Sequence, residues 1–238
     1  MKILDRIIIL LIVYPFGGFL AFLFNLLRVL GWIRISHWER FPHSQGNLII
    51  FSNHPSVLEP ILLVLMCYKG YLRHPFRLRP ISTPDKENYY DQWYWHWLLK
   101  FVAVPIDRND RKKGLKTFIR LTKILSSGGI LIIFGEGGRT DKGERFIYSE
   151  RGNKIRELKQ GIASLIKRTN PSVVYVWVKG AEKVMPIVSN GLYTYPRFWK
   201  SKITIKIGKT VKFPRRTSRE EIIQRIASDL LKLADEGE

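Results

Sequence analysis

Residues 130–140 read ILIIFGEGGRT, a run of five apolar residues that leads without a break into a glycine-rich polar loop. An apolar run of this length between glycines is typical of a strand buried on both faces of a sheet. In α/β proteins, the loops that leave such strands commonly carry functional side chains. We therefore expect an α/β fold in which Glu136 and Arg139 lie at one end of the sheet.

A similar apolar run at residues 47–51 leads into a loop that contains His54 and Glu59. A histidine held by a carboxylate is the minimal apparatus for making an alcohol nucleophilic. The spacing of a histidine and an acidic residue with four residues between them is weak evidence by itself. Five histidines and 20 acidic residues in a chain of 238 give about 0.4 such pairs by chance. On a continuous helix the two side chains would lie about 140° apart, so they meet only if the chain turns between them. Pro55 and Pro60 favour such a turn; otherwise His54 is a partly buried histidine near a helix cap.

The composition fits one α/β domain with an N-terminal extension. A chain of 238 residues, 45% of them hydrophobic, can bury a full core, and we expect a mixed β-sheet flanked by helices. Cys67 is the only cysteine, so neither an internal disulfide nor a multi-cysteine zinc site can form. The five histidines are scattered along the chain, and we expect no metal site.

The strongest compositional signal is the charge. Forty Lys and Arg residues against 20 Asp and Glu give a net charge of +20 and a sequence pI near 10.2. Such a chain binds anions, and nucleic acid and anionic membrane are the two obvious partners. We expect no nucleic-acid partner, because the charge is not concentrated in a recognisable nucleic-acid-binding motif. An apolar N-terminal segment also serves no purpose in binding nucleic acid.

The segment 7–24 contains no charged residue and is long enough for a spanning helix. Pro15, Gly17 and Gly18 lie near its middle, and the apolar character resumes after Asn25. Three interpretations remain: two short helices bent around this break that enter one leaflet, a true span, or a cleaved signal peptide. The signal peptide is the least favoured, because a small-residue cleavage site is missing.

These features predict a division of the chain into two parts. We expect an apolar helical membrane anchor at residues 1–35, flanked by basic residues that meet lipid phosphates. The rest of the chain, residues 36–238, would form the α/β domain on the cytoplasmic face of the membrane.

The remaining pattern predicts alternating strands and helices. Beyond the two runs above, we expect strands at 76–82, 101–106, 172–178 and 202–207, the last as a half-exposed edge strand. We expect helices at 60–69, 84–100, 111–127, 157–168 and 217–234, and an exposed charged connection at 141–156. The helix at 84–100 is rich in Tyr and Trp, which suits either core packing or a membrane-interface belt.

The polar loops that follow these strands are candidate anion sites. A glycine-rich turn with one carboxylate and one arginine can wrap a phosphate. Alternatively, Glu136 and Arg139 pair with each other in a purely structural turn. Arg108, at the end of the run 101–106, is open to two similar interpretations: a solvated side chain or a phosphate ligand.

Taken in their order along the chain, the polar loops resemble those of the glycerolipid acyltransferase family. The resemblance extends over roughly residues 47–213. That family carries an Asn-His-x4-Asp block, a block that ends in arginine, a Phe-Pro-Glu-Gly-Thr-Arg-Ser block and a Lys-x-Gly block. The matching segments are Asn53-His54 with Glu59, residues 104–108, residues 134–140 and residues 159–161.

The chain departs from the family pattern at three places. Glu59 stands where the family usually has aspartate, which moves the carboxylate outward by one methylene. Gly135 and Gly138 replace a proline and a threonine of the third block. In the fourth block, usually Val-Pro-Val, Tyr175 replaces the proline.

The resemblance implies a reaction and a set of site residues. By it, His54 would be the general base on an acceptor hydroxyl, and Glu59 would hold its imidazole. The acyl donor would be a thioester of coenzyme A or of acyl carrier protein, with no further cofactor and no metal. The best-known members acylate 1-acylglycerol 3-phosphate to phosphatidic acid. The expected substrate-binding residues are Asn53, Arg108, Glu136, Gly137, Arg139 and Lys159.

Other functions remain open at this point. The acceptor could be another lysophospholipid, a glycolipid or an amino-lipid, or the chain could be a non-catalytic lipid-binding membrane protein of the same fold. A lipase is disfavoured, because the sequence contains no Gly-x-Ser-x-Gly elbow.

Overall fold

A six-stranded mixed sheet organises the protein, whose computed structural model describes residues 3–86, 90–91, 93–107, 110–140, 143–186 and 196–237. The sheet has the strand order β1-β8-β7-β2-β4-β3, and β5 and β6 form a separate hairpin. The strands are β1 (Ile33–Ser36), β2 (Leu48–Ser52), β3 (Pro80–Ser82), β4 (Ile130–Ile133), β5 (Phe146–Tyr148), β6 (Lys154–Arg156), β7 (Ser172–Lys179) and β8 (Ile203–Lys212).

Helices cover both faces of this sheet, so the predicted α/β fold is confirmed. Because successive residues of a strand point to opposite faces, Ile49 and Leu131 pack against α6, α7 and α9, whereas Ile50 and Ile132 pack against α2 and α3. The helices are α1 (Ile3–Ile8), α2 (Tyr14–Val29), α3 (Glu59–Met66), α4 (Tyr68–Arg73), α5 (Trp93–Val102), α6 (Arg111–Ser126), α7 (Gly161–Thr169), α8 (Ala181–Val184) and α9 (Arg219–Asp235).

The middle of the sheet is parallel. β2 pairs in parallel with both β4 and β7, so Ile49 lies opposite Leu131 and Val173. All residues of β2 are buried, as its apolar sequence predicts for a strand covered on both faces. Parallel pairing brings the carboxyl ends of β2 and β4 to the same edge of the sheet, and the candidate site lies at this edge.

The prediction of a half-exposed edge strand at 202–207 is wrong, because β8 lies inside the sheet. It pairs in parallel with β1 and antiparallel with β7. β1, which follows the N-terminal helix, covers the edge that β8 would otherwise expose. Lys206 of β8 is buried, and its Nζ donates to the carbonyl of Ala234 at 3.0 Å, near the end of α9. The cation therefore faces the carbonyl end of a helix, where positive charge is favourable.

Two further segments differ from the sequence prediction. The strand expected at 101–106 is wrong, because its first two residues complete α5 and the rest forms only isolated bridges, Ser82 with Ala103 and Asp85 with Ile106. The connection expected to be exposed at 141–156 contains the β5–β6 hairpin, and Ile155 of β6 is buried. Residues 87–89 and 92 of the helix expected at 84–100 lie outside the described residues, and the helix described there begins at Trp93.

The N-terminal segment forms one helix, Ile3–Val29, in which α1 and α2 are joined by a π-helical turn at Ile9–Val13. The expected break around Pro15 does not interrupt it. By length and composition it could cross a membrane. Sheet pairing begins at Ile33, so the expected boundary after residue 35 falls inside β1.

The N-terminal helix is exposed along one side and docked along the other. Ile9 and Val13 pack with Tyr71 and Phe101, and Phe24 packs into the core beneath the sheet. The exposed side carries the large apolar residues Ile3, Leu4, Ile7, Leu10, Leu11, Ile12, Phe16, Phe19, Phe22, Leu26 and Val29. An apolar face of this extent on a single helix suits a lipid surface better than water.

Candidate active site

The two loops identified in the sequence meet at the carboxyl ends of β2 and β4. His54 follows β2, and the glycine-rich loop follows β4. The loops are joined directly, because the backbone N–H of Thr140 donates to the carbonyl of His54 at 2.9 Å. The site is thus formed by adjacent parallel strands, as expected for an α/β protein.

His54 and Glu59 form a hydrogen-bonded pair between His54 Nδ1 and Glu59 Oε1. The Glu59 side chain is completely buried, whereas 19% of the His54 side chain is exposed. Because an ionised carboxylate can only accept hydrogen bonds, this contact puts the imidazole proton on Nδ1 and leaves the lone pair on Nε2. With Nδ1 bonded to Glu59, Nε2 is the ring nitrogen left to act as a base.

A tight turn before α3 brings this pair together. The backbone N–H of Ser56 donates to both carboxylate oxygens of Glu59, at 3.0 and 3.1 Å, and the Ser56 hydroxyl accepts from the N–H of Leu58 at 3.1 Å. Glu59 is the first residue of α3 and Pro60 the second. A carboxylate at a helix N-terminus is stabilised by the helix dipole and by free backbone donors. The predicted turn between His54 and Glu59 is confirmed.

Burial dominates the acidity of Glu59. It raises the pKa of the Glu59 carboxyl above its usual range, while the hydrogen bonds from His54 and from the Ser56 N–H oppose the rise. The carboxylate state that orients His54 is consequently lost at a higher pH than it would be in an exposed glutamate.

The imidazole of His54 is also fixed by stacking. Its ring lies 4.4 Å from the ring of Phe134, centroid to centroid, with an interplanar angle of 23°. Phe134 is the last residue of the apolar run that ends in the glycine-rich loop. The ring is therefore held in its plane by Phe134 and within that plane by Glu59.

Glu136 ties three segments of the site together. Its Oε1 accepts from the backbone N–H of His54 at 2.9 Å and from the Thr140 hydroxyl at 2.8 Å, and its Oε2 accepts from the backbone N–H of Arg156 at 2.9 Å. The residue is buried, and burial raises the pKa of its carboxyl although these hydrogen bonds oppose the rise. Glu136 does not pair with Arg139, so the simple structural turn considered above is not formed.

Asn53 makes a similar link on the other side of β2. Its Nδ2 donates to the carbonyl of Val178 at 2.8 Å, and its Oδ1 accepts from the Val178 N–H at 2.8 Å. Asn53 is buried, and this two-way pairing fixes the end of β2 against β7. The expected substrate-binding residues Asn53 and Glu136 thus both have their polar atoms engaged by the protein.

The cationic residues of the site have a different environment. Arg139 is half-buried and Lys159 is exposed, and the side chains of both are free of ion pairs and hydrogen bonds with the residues that the structure describes. Gly137 adopts φ +67°, and a Cβ there would lie 3.1 Å from the Lys159 side chain. Glycine thus allows the loop to turn close beside Lys159. Arg108 lies outside the described residues.

The departures from the family pattern have local explanations in two places. At Gly135, a Cβ would lie 2.3 Å from the ring of Phe51, so the phenylalanine occupies the space that a larger residue would need. Tyr175 lies where the pairing of β7 with β8 is irregular, between Val174 and Val176. Its ring is buried on the face of the sheet that packs against α9, and burial raises the pKa of its hydroxyl.

Sequence reasoning missed several contacts of the site. Only Thr140 had a signal in the sequence, because it is the one hydroxyl residue at the end of the glycine-rich loop. Ser56 and Arg156 contribute backbone N–H groups, for which the sequence gives no signal. Among the described residues, no group of three or more His, Cys, Asp or Glu is placed to hold a metal ion.

Fold and site together place a carboxylate-bonded histidine beside a glycine-rich loop at the ends of neighbouring parallel strands. The profile of the Acyltransferase family matches residues 32–179, more than half of the chain. The chain belongs to the acyltransferase family, and the resemblance drawn from its sequence blocks is confirmed.

Two individual acyltransferases are similar to this chain, one in sequence and one in structure. The chloroplastic 1-acyl-sn-glycerol-3-phosphate acyltransferase LPAT1 of Arabidopsis thaliana is 23% identical over 166 residues, which cover 68% of this chain and 40% of that protein. The chain thus matches less than half the length of this relative. The crystal structure of the 1-acyl-sn-glycerophosphate acyltransferase PlsC from Thermotoga maritima superposes with a TM-score of 0.64 at 16% identity, covering 95% of this chain and 80% of that one. At this identity, the likeness shows a common fold.

Proposed function

We propose that the protein transfers a fatty acyl group from a thioester to the free hydroxyl of 1-acylglycerol 3-phosphate, giving phosphatidic acid. The observation that carries this proposal is the His54–Glu59 pair, bonded through Nδ1 at the end of β2 beside the loop that bears Arg139. The names of the plant and bacterial acyltransferases matched above support the choice of acceptor.

The geometry supports a direct transfer. Nε2 of His54 removes the proton of the acceptor hydroxyl as its oxygen attacks the thioester carbonyl carbon. Glu59 accepts the Nδ1 hydrogen bond throughout and stabilises the imidazolium that forms. When the tetrahedral intermediate collapses, the carbon–sulfur bond breaks and the Nε2 proton passes to the thiolate. The products are the acylated acceptor and a free thiol.

The single cysteine is poorly suited to carry the acyl group. Cys67 is buried at the end of α3, and its Sγ donates to the carbonyl of Leu63 at 3.3 Å. Burial raises the pKa of its thiol, so the nucleophilic thiolate is disfavoured. This environment favours direct attack by the acceptor over a cysteine acyl-enzyme.

The cations Arg139 and Lys159, with Arg108, would bind the phosphate of the acceptor. Arg139 is on the glycine-rich loop that Glu136 connects to His54, and the Lys159 side chain lies beside Gly137 of that loop, so a phosphate bound there would be held by the loop that is joined to His54. Charge-assisted hydrogen bonds to phosphate are stronger than neutral ones, which favours a phosphorylated acceptor over a glycolipid.

The N-terminal helix would bring this site to its lipid substrate. It contacts the domain from Ile9 to Phe24, about 22 Å of its axis at 1.5 Å per residue. Gly18 permits this close packing, since a Cβ there would lie 2.5 Å from the hydroxyl of Tyr68. A helix docked over most of its length cannot cross a bilayer without taking the domain with it, so we favour insertion of its exposed side into one leaflet.

The decisive experiment is turnover by the purified protein in lipid nanodiscs with 1-acylglycerol 3-phosphate and a palmitoyl thioester, read by mass spectrometry of the lipid product. We expect His54→Ala to lower the rate by about 10³-fold, in the range of general base catalysis, while membrane association persists. His74→Ala, which removes an exposed histidine at the end of α4, is the matched control and should keep full rate.

Retained turnover in His54→Ala would overturn the assignment of the base. Binding of the lipid without any product from the unaltered protein would instead indicate a non-catalytic lipid-binding member of the family. Lipid profiles of cells with and without the protein would identify a different acceptor, if the phosphorylated one is wrong.

A further inference from the structure

A single 3₁₀ turn between α8 and β8, Phe198–Lys200, presents a tryptophan to solvent. Trp199 is 66% exposed, although a ring of this size usually buries most of its surface. The N–H of Arg197 donates to the carbonyl of Val184 at 2.8 Å, and the N–H of Lys200 donates to the carbonyl of Arg197 at 2.9 Å. The backbone of the turn is thus fixed, and the ring is held at a defined place on the surface.

The turn adjoins the end of the N-terminal helix. Phe198 stacks on Trp32, with ring centroids 6.1 Å apart and an interplanar angle of 6°. Trp32 is itself 37% exposed, and its carbonyl accepts from the N–H of Ile203 at 2.8 Å. Val29, the last residue of α2, is 84% exposed. Two segments that are far apart in the chain thus form, with Trp199, one apolar patch that continues the exposed side of the helix.

Exposed cations accompany this patch. Arg34 on β1 and Lys200 and Lys202 at the turn are exposed, and their side chains make no ion pair with any residue that the structure describes. Arg34 lies opposite Thr204, two residues after Lys202, in the parallel pairing of β1 with β8. Tryptophan together with Lys and Arg is the composition of a protein surface at the lipid–water boundary, where cations meet lipid phosphates. An anionic lipid surface therefore complements the patch in apolar character and in charge.

The patch lies at the same edge of the sheet as the catalytic pair. Lys179, at the carboxyl end of β7, lies opposite Thr204 of β8. A Cβ on the next residue, Gly180, would lie 2.2 Å from the carbonyl oxygen of Lys202, so the turn passes close to this strand end. β7 is the parallel neighbour of β2, whose carboxyl end leads to His54. Lipid in contact with the patch would therefore face the edge that carries the site.

The patch also lies on the side of the sheet that the N-terminal helix covers. Phe198 packs against the core cluster that contains Phe24 of α2 and Ile33 of β1. This shared side favours one lipid surface in contact with both the helix and the patch.

We propose that the patch is a second membrane contact, which binds anionic lipid at the level of the headgroups through Trp32, Trp199, Arg34, Lys200 and Lys202. The inference rests on the membrane-bound function proposed above and specifies how the domain sits on the leaflet. A single inserted helix leaves the domain free to roll about the helix axis. A second contact beside that axis stops this rotation and turns the edge with the catalytic pair toward the lipid that supplies the acceptor.

The test places a fluorophore on the patch of the full-length protein. Trp199→Cys is labelled with an environment-sensitive dye, and Cys67 stays unlabelled because it is buried. Lys212→Cys, at an exposed position level with the amino end of β7, is the matched control. The proteins are bound to vesicles of phosphatidylcholine and phosphatidylglycerol whose acyl chains carry a spin label close to the headgroup. We expect about twofold quenching at position 199, since an interfacial contact enters about 5–10 Å into this region, and none at position 212.

The lysines test the electrostatic part of the contact. Lys200→Glu/Lys202→Glu, added to Trp199→Cys, should remove most of the quenching, because like charges repel the glutamates from anionic lipid. Lys209→Glu/Lys212→Glu, on exposed positions of β8, is the charge-matched control and should keep it. Quenching that does not respond to Lys200→Glu/Lys202→Glu would overturn the role of the cations.

Flotation with the vesicles and turnover separate this proposal from its competitors. If the labelled protein floats but position 199 is not quenched, the helix alone holds the membrane, the exposed ring is left for a protein partner, and the proposal is overturned. Equal quenching at positions 199 and 212 would also overturn it, because the domain would then have no preferred orientation. If position 199 is quenched as expected but the unaltered protein makes no phosphatidic acid, the second contact stands and the proposed acyl transfer fails.

Discussion

The two halves of the candidate site differ in how much of each is already bonded within the protein. On the base side, Glu59 and Glu136 are buried and use their oxygens on His54, Ser56, Thr140 and Arg156. On the cationic side, Arg139 and Lys159 have no side-chain partner among the described residues. His54 is thus oriented by the protein itself, whereas the described residues leave the side-chain donors of Arg139 and Lys159 unused. Changes on the base side should therefore affect the rate, and changes on the cationic side the affinity.

The largest effect within this comparison is expected at Glu59. Glu59→Gln keeps the length of the side chain but removes the charge that stabilises the imidazolium, so kcat should fall by about 10² to 10³-fold. Glu59→Asp keeps the charge and matches the family residue, so it should retain more activity than Glu59→Gln. Equal loss in both variants would show that His54 requires both the reach and the charge of Glu59, and a larger loss in Glu59→Asp than in Glu59→Gln would contradict the prediction.

The acidity of Glu59 adds a pH dependence to this prediction. Because burial raises its folded pKa, the folded chain takes up the proton more readily than an exposed glutamate would. The orienting carboxylate is consequently present above that pKa and is lost as the pH falls through it. The carboxyl carbon of Glu59, followed by NMR in the labelled protein, should therefore titrate above about 4.3, the ordinary glutamate value. A titration at or below that value would contradict the assigned environment.

The sequence predicted the base side less completely than it predicted the strands that hold it. Apolar runs ending in polar loops were enough for β2 and β4, because strands buried on both faces need continuous apolar residues. The turn between His54 and Glu59 followed from Pro55 and Pro60. The link from Glu136 to Arg156 could not be predicted, since it uses a backbone N–H on a hairpin 20 residues away.

Long-range pairing explains the remaining errors. The alternating sequence of β8 is typical of an edge strand, and only its contact with β1, about 170 residues earlier in the chain, places it inside the sheet. The apolar run at 101–106 resembled a strand because short apolar segments do not distinguish a strand from the end of a helix.

A smaller effect on the rate, with an effect on stability, is expected at Glu136. Glu136→Gln places an amide N–H₂ against backbone and hydroxyl donors, so the free energy of unfolding should fall by about 1–3 kcal/mol. Since His54 is held through its backbone N–H, kcat should fall by about tenfold while KM changes little. Glu157→Gln, on an exposed carboxylate, is the matched control and should change neither quantity.

The pH dependence of this variant follows from the raised pKa of Glu136. The folded chain binds this proton more tightly than the unfolded chain, so ionisation of Glu136 costs stability as the pH rises through its folded pKa. Glutamine does not titrate. The stability lost in Glu136→Gln should therefore be greatest near pH 4 and smaller at neutral pH, as measured by urea unfolding at both values. The opposite trend would contradict burial as the dominant influence on this carboxyl.

The smallest effect, and the one that tests the cationic side, is expected at Arg139. Arg139→Ala removes a cation that is free to bind the acceptor phosphate, so KM for 1-acylglycerol 3-phosphate should rise by about tenfold with kcat nearly unchanged. KM for a monoacylglycerol, which has no phosphate, should not change. Arg145→Ala, at a largely exposed arginine on the neighbouring hairpin connection, is the control. If kcat falls and KM does not rise, Arg139 belongs with the residues that orient His54. The division of the site into a base side that sets the rate and a cationic side that sets the affinity would then be wrong.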